Sequence, residues 1–141
     1  MRYNRYGNVF SVMLLEVEPT RDMFRGKNQE LLYRTAEWAG KILNDSFRQL
    51  DILGRWGESG FIVLLPETKL SGCIKAAKKI RKIFETESMT IGRRSYRVRL
   101  NIGIEEFRGA LEDTIRNLNN YIAIAGRTKG NSIVCASGIY E

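Results

Sequence analysis

Arg48-Gln-Leu-Asp-Ile-Leu-Gly-Arg-Trp-Gly-Glu-Ser-Gly-Phe-Ile-Val-Leu-Leu-Pro66 is the stretch whose reading decides the fold. Two apolar runs, Leu50 to Trp56 and Phe61 to Leu65, flank the polar loop Gly57-Glu58-Ser59-Gly60. Glycines bracketing a short loop between such runs predict a β-hairpin. Pro66 ends the second strand because it has no N–H to give to a ladder. Just ahead of the first strand stand a basic and an acidic residue, Arg48 and Asp51.

Outward from the hairpin, the chain alternates strands and helices. Phe10 to Val17 is a nearly continuous apolar run, the pattern of a central strand buried on both faces. From Gln29 to Phe47, apolar residues at Leu31, Leu32, Thr35, Ala36, Ala39, Ile42, Leu43 and Phe47 form one face of a helix. After the hairpin, a helix from Thr68 to about Phe84 carries Leu70, Cys73, Ile74, Ala77, Ile80, Ile83 and Phe84 inward. Its outer face holds Lys75, Lys78, Lys79 and Lys82, charges that favour water or an anion. Tyr96 to Glu105 alternates as a half-buried strand, with Met89 to Ile91 as a short partner. Ala110 to Ala125 is a third helix, with Leu111, Ile115, Leu118 and Ile122 inward, and Ser132 to Cys135 closes the sheet. The order predicts an α/β domain: a mixed central sheet of about five strands flanked by helices.

Composition narrows the function. The 141 residues, 43% hydrophobic and 28% charged, suit one globular domain over 1–141. No apolar run reaches the roughly 20 residues of a membrane helix, and no signal peptide is visible, so no membrane contact is expected. Cys73 and Cys135 lack metal-ligand spacing and point to a reduced, cytoplasmic setting. The absence of histidine argues against zinc chemistry and histidine acid–base catalysis. A net charge of +7 favours an anionic partner or simply a solvated basic surface. The basic residues show little aromatic interleaving, so nucleic acid is not the expected partner.

The order of elements and the run Gly54-Arg55-Trp56-Gly57-Glu58-Ser59-Gly60-Phe61, followed by Ile62 to Thr68, resemble the GGDEF domain of diguanylate cyclases. Ala76-Ala77-Lys78-Lys79-Ile80-Arg81, Val98 to Ile104 and the opening Arg2 to Gly7 fit as well. The resemblance covers essentially the whole chain and implies a nucleotidyl-cyclase-like palm. It also implies the family's activity, condensation of two GTP into cyclic di-GMP across a homodimer. Such domains commonly end multidomain chains, so a piece of a longer signalling protein is expected.

The departures fall on the reaction centre. Where the family reads Gly-Gly-(Asp or Glu)-Glu-Phe, this chain reads Gly57-Glu58-Ser59-Gly60-Phe61. Glu58 puts a side chain and a negative charge where the backbone would approach phosphate. Ser59 is neutral and Gly60 has no side chain, whereas hard divalent cations require anionic oxygen. The family's metal-binding Asp on the first strand corresponds to Glu16, one carboxylate without its partners. The two guanine-reading positions become Phe24 and Tyr33. Near the C-terminus the family's Lys aligns with Gly126, and Gly-Arg-Asn becomes Lys129-Gly130-Asn131, leaving Arg127 or Lys129 as substitutes. The expectation is a domain that does not cyclise GTP and needs no magnesium.

A second family site is retained. Many members carry an Arg-x-x-Asp motif five residues before the signature that binds cyclic di-GMP. Arg48-Gln49-Leu50-Asp51, then Ile52 to Trp56, keeps that spacing, a match expected by chance on the order of once in a few hundred sequences. An arginine fork can donate to guanine O6 and N7, and a carboxylate can accept from N1 and N2. A further family Arg on the next helix corresponds to Lys79, with Arg81 two residues on. The plain alternative for Arg48 and Asp51 is a helix-terminal ion pair, worth about 0–1 kcal/mol if exposed. The expected function is a cyclic di-GMP receptor using Arg48, Asp51 and Lys79. Two other readings are a residual cyclase or GTP-binding regulatory domain, and a dimerisation module, or docking face for a signalling partner, that ignores nucleotides.

Overall fold

The computed structural model describes residues 9–19, 29–128 and 130–141. The chain runs β1 (Phe10–Pro19), α1 (Gln29–Ser46), β2 (Ile52–Trp56), β3 (Gly60–Pro66), α2 (Leu70–Thr86), β4 (Met89–Ile91), β5 (Arg94–Tyr96), β6 (Val98–Glu106), α3 (Leu111–Gly126), β7 (Ile133–Cys135) and β8 (Gly138–Tyr140). Six strands form one sheet in the order β2-β3-β1-β6-β7-β8, and β4 pairs with β5 in a separate hairpin. Only the β6–β7 pairing in the large sheet is parallel, so the sheet is mixed.

β1 lies between β3 and β6, and this position explains its apolar run: both faces need cover. Met13, Leu15 and Val17 meet the inner faces of α1 and α2. Val12 and Leu14 turn to the opposite face, where Leu118 of α3 covers them. Two helices therefore pack on one side and one on the other. α3 settles close to the sheet at Gly103, where an added Cβ would stand 2.9 Å from Tyr121 Cβ.

The helical faces match the sequence pattern, with particular corrections. The six-stranded sheet exceeds the expected five because Gly138–Tyr140 adds an edge strand. The alternating run ahead of Glu105 is two strands broken at Arg97, since β5 folds back on β4 while β6 joins the main sheet. The hairpin's first strand begins at Ile52, leaving Leu50 exposed in the turn before it. Leu111 is 63% exposed, because the buried stripe of α3 begins one turn later at Thr114. No described helix is long and apolar enough to cross a membrane.

Candidate functional site

Between the end of α1 and the length of α2 lies a cleft of about 660 Å3. Arg48, Asp51 and Lys79 all line it. Its volume falls in the usual range for small-molecule sites. Ala76, Ile80 and Ile83 supply apolar wall, and Lys69 and Lys75 add cations.

The turn from Arg48 to Asp51 is closed in both directions. Asp51 N–H donates to the Arg48 carbonyl at 3.0 Å, and Arg48 N–H donates to Asp51 Oδ2 at 2.9 Å. The guanidinium also lies on the same carboxylate, with Nη2 donating to Oδ1 at 2.8 Å and Nε to Oδ2 at 3.2 Å. Nη2 reaches further, to Thr68 Oγ1 at 2.9 Å. The Thr68 carbonyl in turn accepts from the buried Ser11 hydroxyl at 2.8 Å. β1 thus anchors the corner between β3 and α2, and that corner holds Arg48. The Asp51 hydrogen bond raises the guanidinium's pKa above its ordinary value. Side-chain exposure separates the two partners: 54% for Arg48 and 2% for Asp51.

Other sequence-predicted residues fall elsewhere. Arg81, two residues past Lys79, donates to the Tyr140 carbonyl at 2.8 Å and ties α2 to β8. Lys78 stands over the Tyr140 ring. Lys75, read from sequence as a solvated face, joins Lys79 in the cleft. Their i,i+4 spacing was the available signal, because it puts both side chains on one strip of α2. Thr68 carried no sequence signal, as its role depends on an arginine twenty residues away.

The loop from Gly57 to Gly60 forms a separate site. Glu16, Trp56, Gly57, Glu58, Ser59 and Gly60 line a hollow of about 170 Å3. The loop is three residues, Gly57 to Ser59, rather than four, because Gly60 pairs with Trp56 across β2 and β3. Gly57 turns the chain at φ +67°, a conformation glycine adopts without steric cost. Arg55 braces the turn by donating to the Glu58 carbonyl at 2.8 Å and covering the Phe61 ring. Phe61 is buried, and Trp56 is partly exposed at the loop's rim.

Glu16 faces Asn101 on β6 and lies on the α3 side of the sheet. Its carboxyl stands above the usual 4.5, first because burial penalises its charge and second because Glu18 is nearby. Among the described residues, no group of three acidic, cysteine or histidine side chains gathers as a metal cluster. Tyr33 is 66% exposed on α1, and Asn131 spends its side chain on the Leu100 N–H. Arg127 caps the end of α3. Arg2 to Gly7, Phe24 and Lys129 lie outside the described residues.

A carboxyl that holds its proton more tightly folded than unfolded favours the native state below about pH 4.5. That contribution is lost as the pH rises through the folded value. Glu16→Gln should therefore melt higher than the parent at pH 7 and converge with it towards pH 4. A difference in Tm that stays constant across that range would refute the assignment.

Fold and cleft together define a mixed α/β domain with a charged cleft beside its central hairpin. The family model described as "Diguanylate cyclase, GGDEF domain" matches residues 36–132, and the chain belongs to that family. Diguanylate cyclase A of Treponema denticola is 32% identical over 76 residues, which is 54% of this chain and 20% of that protein. The match therefore spans about a fifth of that relative's length. Diguanylate cyclase SiaD of Pseudomonas aeruginosa, solved with its activator SiaC, superposes with a TM-score of 0.83 at 21% identity, covering 94% of this chain and 52% of that one. The GGDEF domain of DgcB from Caulobacter crescentus, solved with c-di-GMP, gives a TM-score of 0.75 at 12% identity, covering 94% and 81%. At these identities the structural likeness is one of fold.

Proposed function

We propose that this domain is a catalytically silent member of the GGDEF family that binds cyclic di-GMP in the cleft between α1 and α2. The observation that carries the reading is the convergence of Arg48, Asp51 and Lys79 on one cleft of ligand size. Arg48 offers its Nη1 donors to guanine, while Lys79 and Lys75 set positive charge along the cleft for phosphate.

The loop side supports the silent half of the proposal. The family's chemistry calls for divalent metal, and the donor set here does not fit it. Ser59 is neutral, Gly60 has no side chain, and burial disfavours the charged form of Glu16. The space enclosed there by described residues is also below the roughly 300 Å3 of small ligand sites.

Titration calorimetry with cyclic di-GMP tests the reading. Arg48→Ala should weaken binding about 30-fold or more, the size of losing a charge-assisted hydrogen bond. Arg34→Ala, on the exposed face of α1, should leave binding unchanged. Incubation with GTP and magnesium or manganese should yield no cyclic dinucleotide. Unchanged affinity in Arg48→Ala would overturn the binding half, and product scaling with protein concentration would overturn the silent half.

A further inference from the structure

β2 begins the six-stranded sheet, and among the described residues no strand pairs with its outer side. An open edge offers unpaired N–H and C=O groups to another strand, and folded domains usually blunt it with lysine, proline or a bulge. Ile52-Leu-Gly-Arg-Trp56 has neither lysine nor proline, and its five residues pair one-to-one with β3. Its one charged residue, Arg55, turns back on its own hairpin, onto the Glu58 carbonyl and the Phe61 ring. Apolar side chains gather along the same strip. Of the seven large apolar residues exposed among the described residues, Leu50, Ile52 and Trp56 fall within one short run. Ile52 stands opposite Leu64 on the α3 side of the sheet, but α3 lies mainly over β6, β7 and β1 and leaves it open.

Two features say what fits this edge. The first is symmetry. Alternation along a strand puts Ile52, Gly54 and Trp56 on one face, an apolar residue on either side of a glycine. If two copies pair antiparallel about a two-fold axis at Gly54, Ile52 of each lies opposite Trp56 of the other. An aromatic ring against a β-branched side chain is a favourable cross-strand pair, and the axis supplies it twice. The second feature is charge. The chain carries +7, so two copies repel over most of their surface. From Arg48 to Glu58 the two arginines, Arg48 and Arg55, are matched by Asp51 and Glu58, so this strip carries no net charge.

We propose that two copies of this domain associate through β2, antiparallel about Gly54, joining two six-stranded sheets into one continuous sheet. The proposal is independent of what the cleft binds. Gly57 lies three positions from the axis, so the two hairpin loops stand roughly 20 Å apart along the seam and do not face each other.

Sedimentation velocity across the micromolar range should show a monomer–dimer equilibrium for the parent domain. Ile52→Glu should raise the dimer dissociation constant at least tenfold, because it sets a carboxylate against an indole twice per dimer. Ile139→Glu, on the far edge strand β8, changes a residue of similar exposure, 50% against 55%, and should associate like the parent. A cysteine pair tests the register separately. A Cβ at Gly54 meets only Ile62 Cγ2, at 3.7 Å, so Gly54→Cys is accommodated. Residue 54 faces itself across the axis at a Cα separation of about 4.5–5.5 Å, within reach of a disulfide. Added oxidised glutathione, which takes up the two electrons and two protons of the thiol pair, should therefore link two Gly54→Cys chains. Ile52→Cys places its two thiols about 14 Å apart along the seam and should not link. The native Cys73 and Cys135 are buried and do not compete. A parent that stays monomeric throughout would overturn the proposal, as would association unchanged in Ile52→Glu. Linkage at position 52 as ready as at 54 would overturn the two-fold register, and growth beyond a dimer would overturn the closed pairing.

Discussion

Gly60→Glu, which restores an acidic residue at the family's fourth signature position, should lower Tm by about 10 °C and yield no cyclase. A Cβ at Gly60 would sit 2.4 Å from the Trp56 carbonyl oxygen and 3.2 Å from that of Leu15. Both obstacles are backbone, and both belong to strands paired with Gly60, so no side-chain rotation relieves the overlap. The hairpin must open locally, and the Val17 N–H bond to the Ser59 carbonyl, 2.9 Å long, is the next to suffer. Over-packing of this kind costs about 3 kcal/mol, a drop of roughly 10 °C for a domain of this size. Ser59→Asp alone meets no such barrier and should melt within about 2 °C of the parent, a surface-scale change. Thermal melts of the two variants decide the matter. Equal Tm values would mean that the hairpin relaxes freely and that the pinch is unimportant.

The second large effect concerns the core beneath the cleft. Phe84→Ala should cost about 3–5 kcal/mol, the range for truncating a fully buried aromatic. Phe84 is 1% exposed near the C-terminal end of α2 and meets Trp38 of α1 edge-on, with ring centroids 5.6 Å apart. That contact joins the two helices that wall the cleft, so the loss falls on stability and on the spacing of the walls together. Urea unfolding should show a lower midpoint with an unchanged slope. A loss below about 1 kcal/mol would mean that neighbouring side chains collapse into the vacated space.

Most of the architecture was legible because its signals are local. β1 announced itself by a two-faced apolar run and α1 by its inner residues Ala36, Ala39 and Leu43, all of which are buried. The three residues of β8 are too few to express a period, and the break at Arg97 between β5 and β6 depends on which strand each side joins. At the candidate site, the spacing of Arg48, Asp51 and Gly57 was readable. The aim of the Arg48 guanidinium was not, because it is held by Thr68 with Ser11 behind it, residues that approach only in the folded chain. Gly60's confinement was hidden for the same reason: a missing side chain looks like simple loss until the carbonyl behind it is seen.

The Ser11 link has a mechanical consequence. Ser11 is the second residue of β1, and its hydroxyl is the backstop for the Thr68 corner that grips Arg48. Tension or rotation delivered where the chain enters the sheet at Phe10 thus arrives one residue from the strut supporting the guanidinium. A ligand that pulls on Arg48 loads the same strut from its other end. The doorway of the central strand and the mouth of the cleft are two ends of one short lever.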